Sequence, residues 1–391
     1  MGLVSLLVIV VACESLSYFA LWILPRISDI RAPRTAGIYR DQTRRIAEYL
    51  PRRATIREQL DPDLGWRYRP LYARGGDRIN SQGLRSLREY SKFAPPGVVR
   101  VAAFGDSFVY GNEVDTKDDW PMSAERAHPV MEVLNYGVGG YGDDQAYLRF
   151  AREGMDLHPQ ILALGFSPDD LRRLTNVFRG FVDDREFGWT KPRFRRTASG
   201  GLTVDPPPMR DSADMARLMA QPTLALGFGA HDQWFQPMIY RDPLYDYSAT
   251  IRLVTTLTVR IYSKYFDPNR LIVGSEFNPA SEAFGLQLAV TSRFVENARS
   301  AGVTAVFVIL PDEVSVRRAR SGQRTVYSPL TDSLRRRGVD VIDVAAAFVA
   351  EPGNADSREW FAPRGHYSPV GNEVVGRAVG SAILQRVSLV K

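Results

Sequence analysis

The chain has 391 residues, 45% of them apolar and 11% aromatic, which is enough to bury a full core as one large domain or two modest ones. Its net charge of +6 comes almost wholly from Arg spread along the sequence. No basic helix and no interleaved aromatic platform is visible, which argues against a nucleic-acid interface. The single Cys13 excludes an intrachain disulfide.

Residues 3–24 form a mostly apolar stretch long enough to cross a bilayer as a helix. It has no basic leader and no small-residue cleavage site, which favours an uncleaved anchor over residues 1–25. Val10-Val11-Ala12-Cys13 looks like a lipoprotein box, but the apolar run continues past Cys13. Glu14 falls near the middle of the span, where a carboxylate is costly against lipid, so it is expected to face a partner helix or a polar pocket. Arg26, Arg31 and Arg34 follow the span, which by the positive-inside rule puts the domain in the cytoplasm. Residues 26–94 make an Arg-rich juxtamembrane and lead-in segment. Arg40, Arg44, Arg45, Arg52, Arg53 and Arg57 suit either a solvated linker or a surface resting on anionic headgroups or an acidic partner.

Beyond it, an apolar run over 99–104 breaks off at Gly105-Asp106-Ser107, as a buried parallel strand does when it ends in a sharp turn carrying a hydroxyl. Ser107 would sit at the carboxyl edge of a sheet, where open α/β folds bind ligands. A second apolar piece, 130–134, leads into Asn135-Tyr136-Gly137-Val138-Gly139-Gly140-Tyr141-Gly142, and a third, 161–166, into Ser167-Pro168-Asp169-Asp170. Residues 175–247 are irregular and aromatic, with Gly200-Gly201 suggesting a hairpin. An excursion this long from a sheet edge reads as a lid or an interaction surface.

Residues 248–266 carry a helical apolar stripe in which Arg252 and Arg260 argue against a second span. A helix over 285–300, a strand over 305–310, a helix over 330–337 and a strand over 339–342 follow. Such alternation predicts a parallel sheet covered on both faces. His366-Tyr367-Ser368-Pro369-Val370-Gly371-Asn372 then opens a last helix. His128, His158 and His231 show no metal-ligand spacing, and the glycines at 137–142 do not follow the dinucleotide fingerprint, so neither a metal nor another cofactor is expected.

In this order and spacing, the blocks at Ser107, Gly140, Asp169 and His366 resemble the SGNH (GDSL-like) hydrolase superfamily over residues 78–386. The resemblance implies an α/β, flavodoxin-like three-layer domain over 95–391, with a long insertion after the third strand at about 175–247. It also implies Ser107 as nucleophile, His366 as base, and the N–H groups of Ser107 and Gly140 as oxyanion donors. Two positions depart from the pattern. The family's asparagine donor falls at Asp169, whose carboxylate can only accept. The places of the triad acid, two or three residues before the His, are held by Arg364 and Pro363, leaving Asp356 or Glu359 as possible substitutes.

These departures favour a catalytically impaired accessory subunit of a larger bacterial membrane complex, such as a photosynthetic or respiratory one. Its contacts with other membrane subunits would run through the anchor, the Arg-rich segment and the aromatic insertion. The alternative is a periplasmic serine esterase or O-acyltransferase acting on acylated envelope glycans. The resemblance places the domain in the periplasm on an inner-membrane anchor, against the positive-inside expectation.

Overall fold

Five parallel strands carry the domain. A computed structural model describes residues 2–28, 30–32, 35, 37–183, 187–352 and 357–388. In chain order the principal elements are α1 (Gly2–Ile27), β1 (Val99–Gly105), α2 (Trp120–Ala127), β2 (Met131–Gly137), α3 (Asp143–Glu153), β3 (Ile161–Phe166), α4 (Ala249–Ile261), α5 (Glu282–Ser300), β4 (Thr304–Ile309), β5 (Val341–Asp343) and α6 (Pro369–Ser388). The strands lie in the order β5-β4-β3-β1-β2, all neighbours parallel.

Alternation along each strand sorts the core into two layers. Val101, Ala103, Val133, Val306 and Val308 pack with Trp120 of α2 and Val375 and Val379 of α6. Ala102, Phe104, Leu134, Leu162 and Phe307 pack with Phe150 of α3 and Val290 and Phe294 of α5. The three-layer α/β expectation holds. A third cluster lies apart from these two and joins the hairpin Glu58–Asp61 and Gly65–Tyr68 to residues between Phe178 and Tyr245. Within the 175–247 stretch, Arg193–Arg196 and Leu202–Asp205 form the hairpin expected around Gly200-Gly201.

Helix α1 has a mean hydropathy of 2.1 and is the one helix, among the described residues, long and apolar enough to cross a membrane. Its second half lies against the domain. The Glu14 carboxylate accepts from the Ser248 hydroxyl and from the Ala249 N–H (2.7 Å), capping the start of α4. A polar contact was expected for Glu14, and α4 of the same chain supplies it. The π-helical turn Tyr262–Phe266 continues α4.

Two buried carboxyls give the fold a pH signature. Burial pushes Asp119, the N-cap of α2, up to about 7 against the pull of Arg85 and of hydrogen bonds from Met122 and Asn135. Burial likewise raises Asp232 to about 6, against hydrogen bonds from the N–H groups of Phe178, Val177 and Trp234. Both lie above the unfolded value of about 3.9, so the folded state holds protons that the unfolded chain releases. The stability they contribute is full below about pH 4 and is lost as pH rises through about 6 to 7. Thermal melts at constant ionic strength should show a melting temperature that falls between pH 5 and pH 7.5. A flat or rising curve would contradict these two assignments.

Candidate active site

Strand β1 ends at Gly105, and the turn that follows delivers Ser107 to the carboxyl edge of the sheet. Asp106 caps the one-turn helix Ser107–Tyr110, its Oδ1 accepting from the Phe108 N–H at 2.7 Å. Glycine is required at Gly137, at the end of β2, because a Cβ there would stand 2.3 Å from the Tyr110 nitrogen. That absent side chain lets β2 close against the serine turn.

His366 arrives from the other end of the sequence, three residues before α6. Its Nε2 lies 2.9 Å from the Ser107 Oγ and its Nδ1 lies 2.7 Å from the Glu113 Oε2. A carboxylate can only accept, so Nδ1 carries the proton and Nε2 is left to accept from the serine. Glu113 also accepts from the backbone N–H of Arg364 (2.8 Å) and of His366 (3.1 Å). Burial raises this carboxyl, but the bonds from the His366 ring and from those two N–H groups outweigh it and hold Glu113 below the ordinary carboxylate range. The acid that orients the imidazole is therefore Glu113, six residues after Ser107.

This corrects the expectation that the orienting acid, if any, comes from Asp356 or Glu359. Glu359 is exposed, and its carbonyl accepts from the Ser368 hydroxyl; Asp356 lies outside the described residues. Glu113 itself holds a left-handed backbone, with φ +71°, a conformation that a non-glycine residue adopts at a cost. The tertiary contacts on its carboxylate and on the neighbouring turn hold it there.

Asp169 lines the same pocket as Ser107, and burial raises its carboxyl, but the Arg173 and Arg172 guanidiniums outweigh that and keep it ionised. Its Oδ2 accepts from Arg172 Nη2 at 2.7 Å and from Arg173 Nη2 at 3.0 Å. The bare repelling charge expected at this position is thus offset by two cations. Arg173 also donates to Asp106 (3.0 Å), Asp170 (2.5 Å) and the Tyr141 carbonyl (2.9 Å), tying the serine turn to the segment after β3. Beneath it, burial and the nearby Asp106 push the Asp170 carboxyl well above its ordinary value.

Gly140 borders the pocket beside Ser107 and has φ +81°, with Trp66 standing where a side chain would project. Asn112 lines the same wall, and its amide nitrogen lies 3.4 Å from where a Cβ on Gly139 would be. This amide was not singled out in the sequence, and no motif or periodicity marks it there. The whole cavity measures about 590 Å³ and is walled by Tyr49, Trp66, Tyr68 and Trp189. No group of His, Cys, Asp and Glu among the described residues could hold a metal ion.

No family model matches the chain. Among curated proteins, the uncharacterized lipoprotein YqeF of Bacillus subtilis is 34% identical over 87 residues, 20% of this chain and 35% of that protein. The chain therefore matches about a third of the length of that relative. Solved structures that overlap it include a lipolytic protein of the G-D-S-L family from Desulfitobacterium hafniense (14% identity, 72% of this chain and 98% of that one, TM-score 0.34). Others are a catalytic mutant of Axe2, an acetylxylan esterase from Geobacillus stearothermophilus (11%, 72% and 92%, TM-score 0.34), and a GDSL-like lipase from Bacteroides thetaiotaomicron (10%, 73% and 88%, TM-score 0.32). The parallel sheet, the Gly105-Asp106-Ser107 turn at its edge and the late His366 make the chain similar to the SGNH (GDSL-like) hydrolases.

Proposed function

We propose that the chain is a membrane-anchored serine enzyme that cleaves or transfers acyl esters, with Ser107, His366 and Glu113 as its relay. The observation that carries this reading is the pair of contacts on one imidazole, 2.9 Å to the serine hydroxyl and 2.7 Å to a carboxylate. In such an arrangement Ser107 Oγ attacks the ester carbonyl carbon while its proton passes to His366 Nε2. The imidazolium so formed is stabilised by Glu113. The tetrahedral oxyanion accepts from the N–H groups of Ser107 and Gly140, and the Asn112 amide on the same pocket wall is available as a third donor. The carbonyl carbon to alkoxide bond then breaks, and His366 returns the proton to the departing alcohol oxygen. Water or an acceptor hydroxyl attacks the acyl-serine, gives its proton to His366, and the serine is regenerated.

The accessory-subunit reading drew on the anchor with Glu14, the Arg-rich segment, the aromatic insertion and the two departures at Asp169 and the triad acid. What supports the enzyme reading over it is that Glu113 contacts His366, that Arg172 and Arg173 contact Asp169, and that Ser248 and Ala249 contact Glu14, all within the chain. The flat aromatic walls suit the rings of an acylated glycan, and the anchor suits work at the outer face of the cytoplasmic membrane.

The test is turnover of a short soluble ester, p-nitrophenyl acetate, by the full-length protein in vesicles. Ser107→Ala should lower kcat/KM at least about 10³-fold with the melting temperature preserved. Equal turnover by wild type and Ser107→Ala would overturn the assignment.

A further inference from the structure

The catalytic pocket shares one residue, Arg172, with a second and larger cavity of about 1160 Å³. That cavity lies between the carboxyl-terminal half of α1 and the domain. Its walls include Tyr18 and Trp22 of the anchor, Phe181, and the arginines Arg31, Arg172 and Arg252. Neither Arg31 nor Arg252 makes an ion pair among the described residues. The Nε of Arg172 is buried without a hydrogen-bond partner among them, while its Nη2 holds Asp169 on the catalytic side. Arg26 of the anchor and the carboxylate of Asp183 line it too, so the wall carries aromatic rings and four arginines against one acid.

The outer surface of the helix that packs beside α1 carries exposed apolar and aromatic side chains of the kind that rest in lipid. Val254 and Ile261 of α4, with Tyr262, Tyr265 and Phe266 of the turn that continues it, are all more than half exposed, and Arg260 and Lys264 flank them. Tyr18, Trp22 and Arg26 mark the headgroup level on the anchor, as aromatic and basic residues do at membrane interfaces.

We infer that this second cavity takes an anionic amphiphile from the bilayer, and that this amphiphile carries the ester or the acceptor hydroxyl used at Ser107. The inference rests on the serine reading given above and names its substrate class. The apolar chain would lie along Tyr18 and Trp22, the anionic head among Arg31, Arg252 and Arg172, and the reacting group beyond Arg172 in the catalytic pocket.

The experiment uses the full-length protein in phosphatidylcholine vesicles doped with phosphatidylglycerol bearing a photoreactive acyl chain. Crosslinks are mapped by mass spectrometry. They are expected on the peptides carrying Tyr18, Trp22 and Phe181, and the paired change Arg31→Gln with Arg252→Gln should lower them at least about fivefold. In the wild type, excess unlabelled phosphatidylglycerol should displace the probe where phosphatidylcholine does not, a comparison that needs no substitution. Equal labelling by photoreactive phosphatidylcholine, or crosslinks confined to residues 3–11, would overturn the inference. So would protection by inorganic phosphate alone. The same vesicles are treated with a fluorophosphonate. An adduct on Ser107 without selective lipid crosslinks overturns the inference alone, whereas selective crosslinks without an adduct overturn the serine reading.

Discussion

Glu113→Gln is expected to lower kcat for ester turnover by about 10³- to 10⁴-fold, the loss seen when the orienting acid of a serine relay is made an amide. A glutamine is nearly isosteric and accepts through one oxygen, but it also presents an N–H₂ group toward the ring. His366 can then take the tautomer with its proton on Nε2, which leaves nothing to receive the proton of Ser107. The fixed charge that steadies the imidazolium is lost as well. Because Glu113 touches His366 and two backbone N–H groups rather than a substrate position, KM should change little. Stopped-time kcat and KM measurements on p-nitrophenyl acetate check this. A fall of less than about tenfold would mean that Glu113 only holds the turn at 364–366 in place.

Arg100→Ala is expected to destabilise the fold by about 3 to 5 kcal/mol, the cost of leaving a buried charge without its partner. Arg100 is fully buried on β1, directly opposite Glu132 of β2. Its Nε and Nη2 both donate to Glu132 Oε2, at 2.9 and 2.7 Å, and its Nη1 donates to the carbonyls of Ser91, Lys92 and Leu157. Truncation removes both hydrogen bonds to the carboxylate, leaving it only the longer contact with Arg88 Nη1 (3.5 Å), and strands three carbonyls and a cavity in the same step. Urea unfolding at pH 7 measures the difference, and Arg100→Ala combined with Glu132→Leu should recover part of it. A loss under about 1 kcal/mol would show that water reaches Glu132 and meets its charge.

The elements were legible where one strong signal dominates. β3 falls on the apolar run 161–166, and α1 extends the expected span 3–24 by one residue at its start and three at its end. Helix α5 begins at Glu282 instead of 285 because Ser281 caps it, its hydroxyl accepting from the Phe284 N–H. Ser107, Gly140 and His366 were singled out because each sits in a short block at the end of a strand or the start of a helix, and the fold brings all three to one pocket.

Glu113 was not legible, for a physical reason. It reaches His366 across 253 positions of sequence and does so from a left-handed residue after a single helical turn, a conformation that no periodicity announces. The compensation of Asp169 was closer to hand. Arg172 and Arg173 stand three and four residues after it, the spacing at which opposite charges meet on a helical turn. Reading the acid only against the family's asparagine hid its two cations.

The most direct measurement of the relay is the intact mass of the full-length protein after treatment with a fluorophosphonate, followed by peptide mapping. An activated serine predicts a single adduct, located on Ser107, forming far more slowly in Glu113→Gln and absent in Ser107→Ala. A folded wild-type protein that gains no adduct, or gains it on another residue, would contradict the relay.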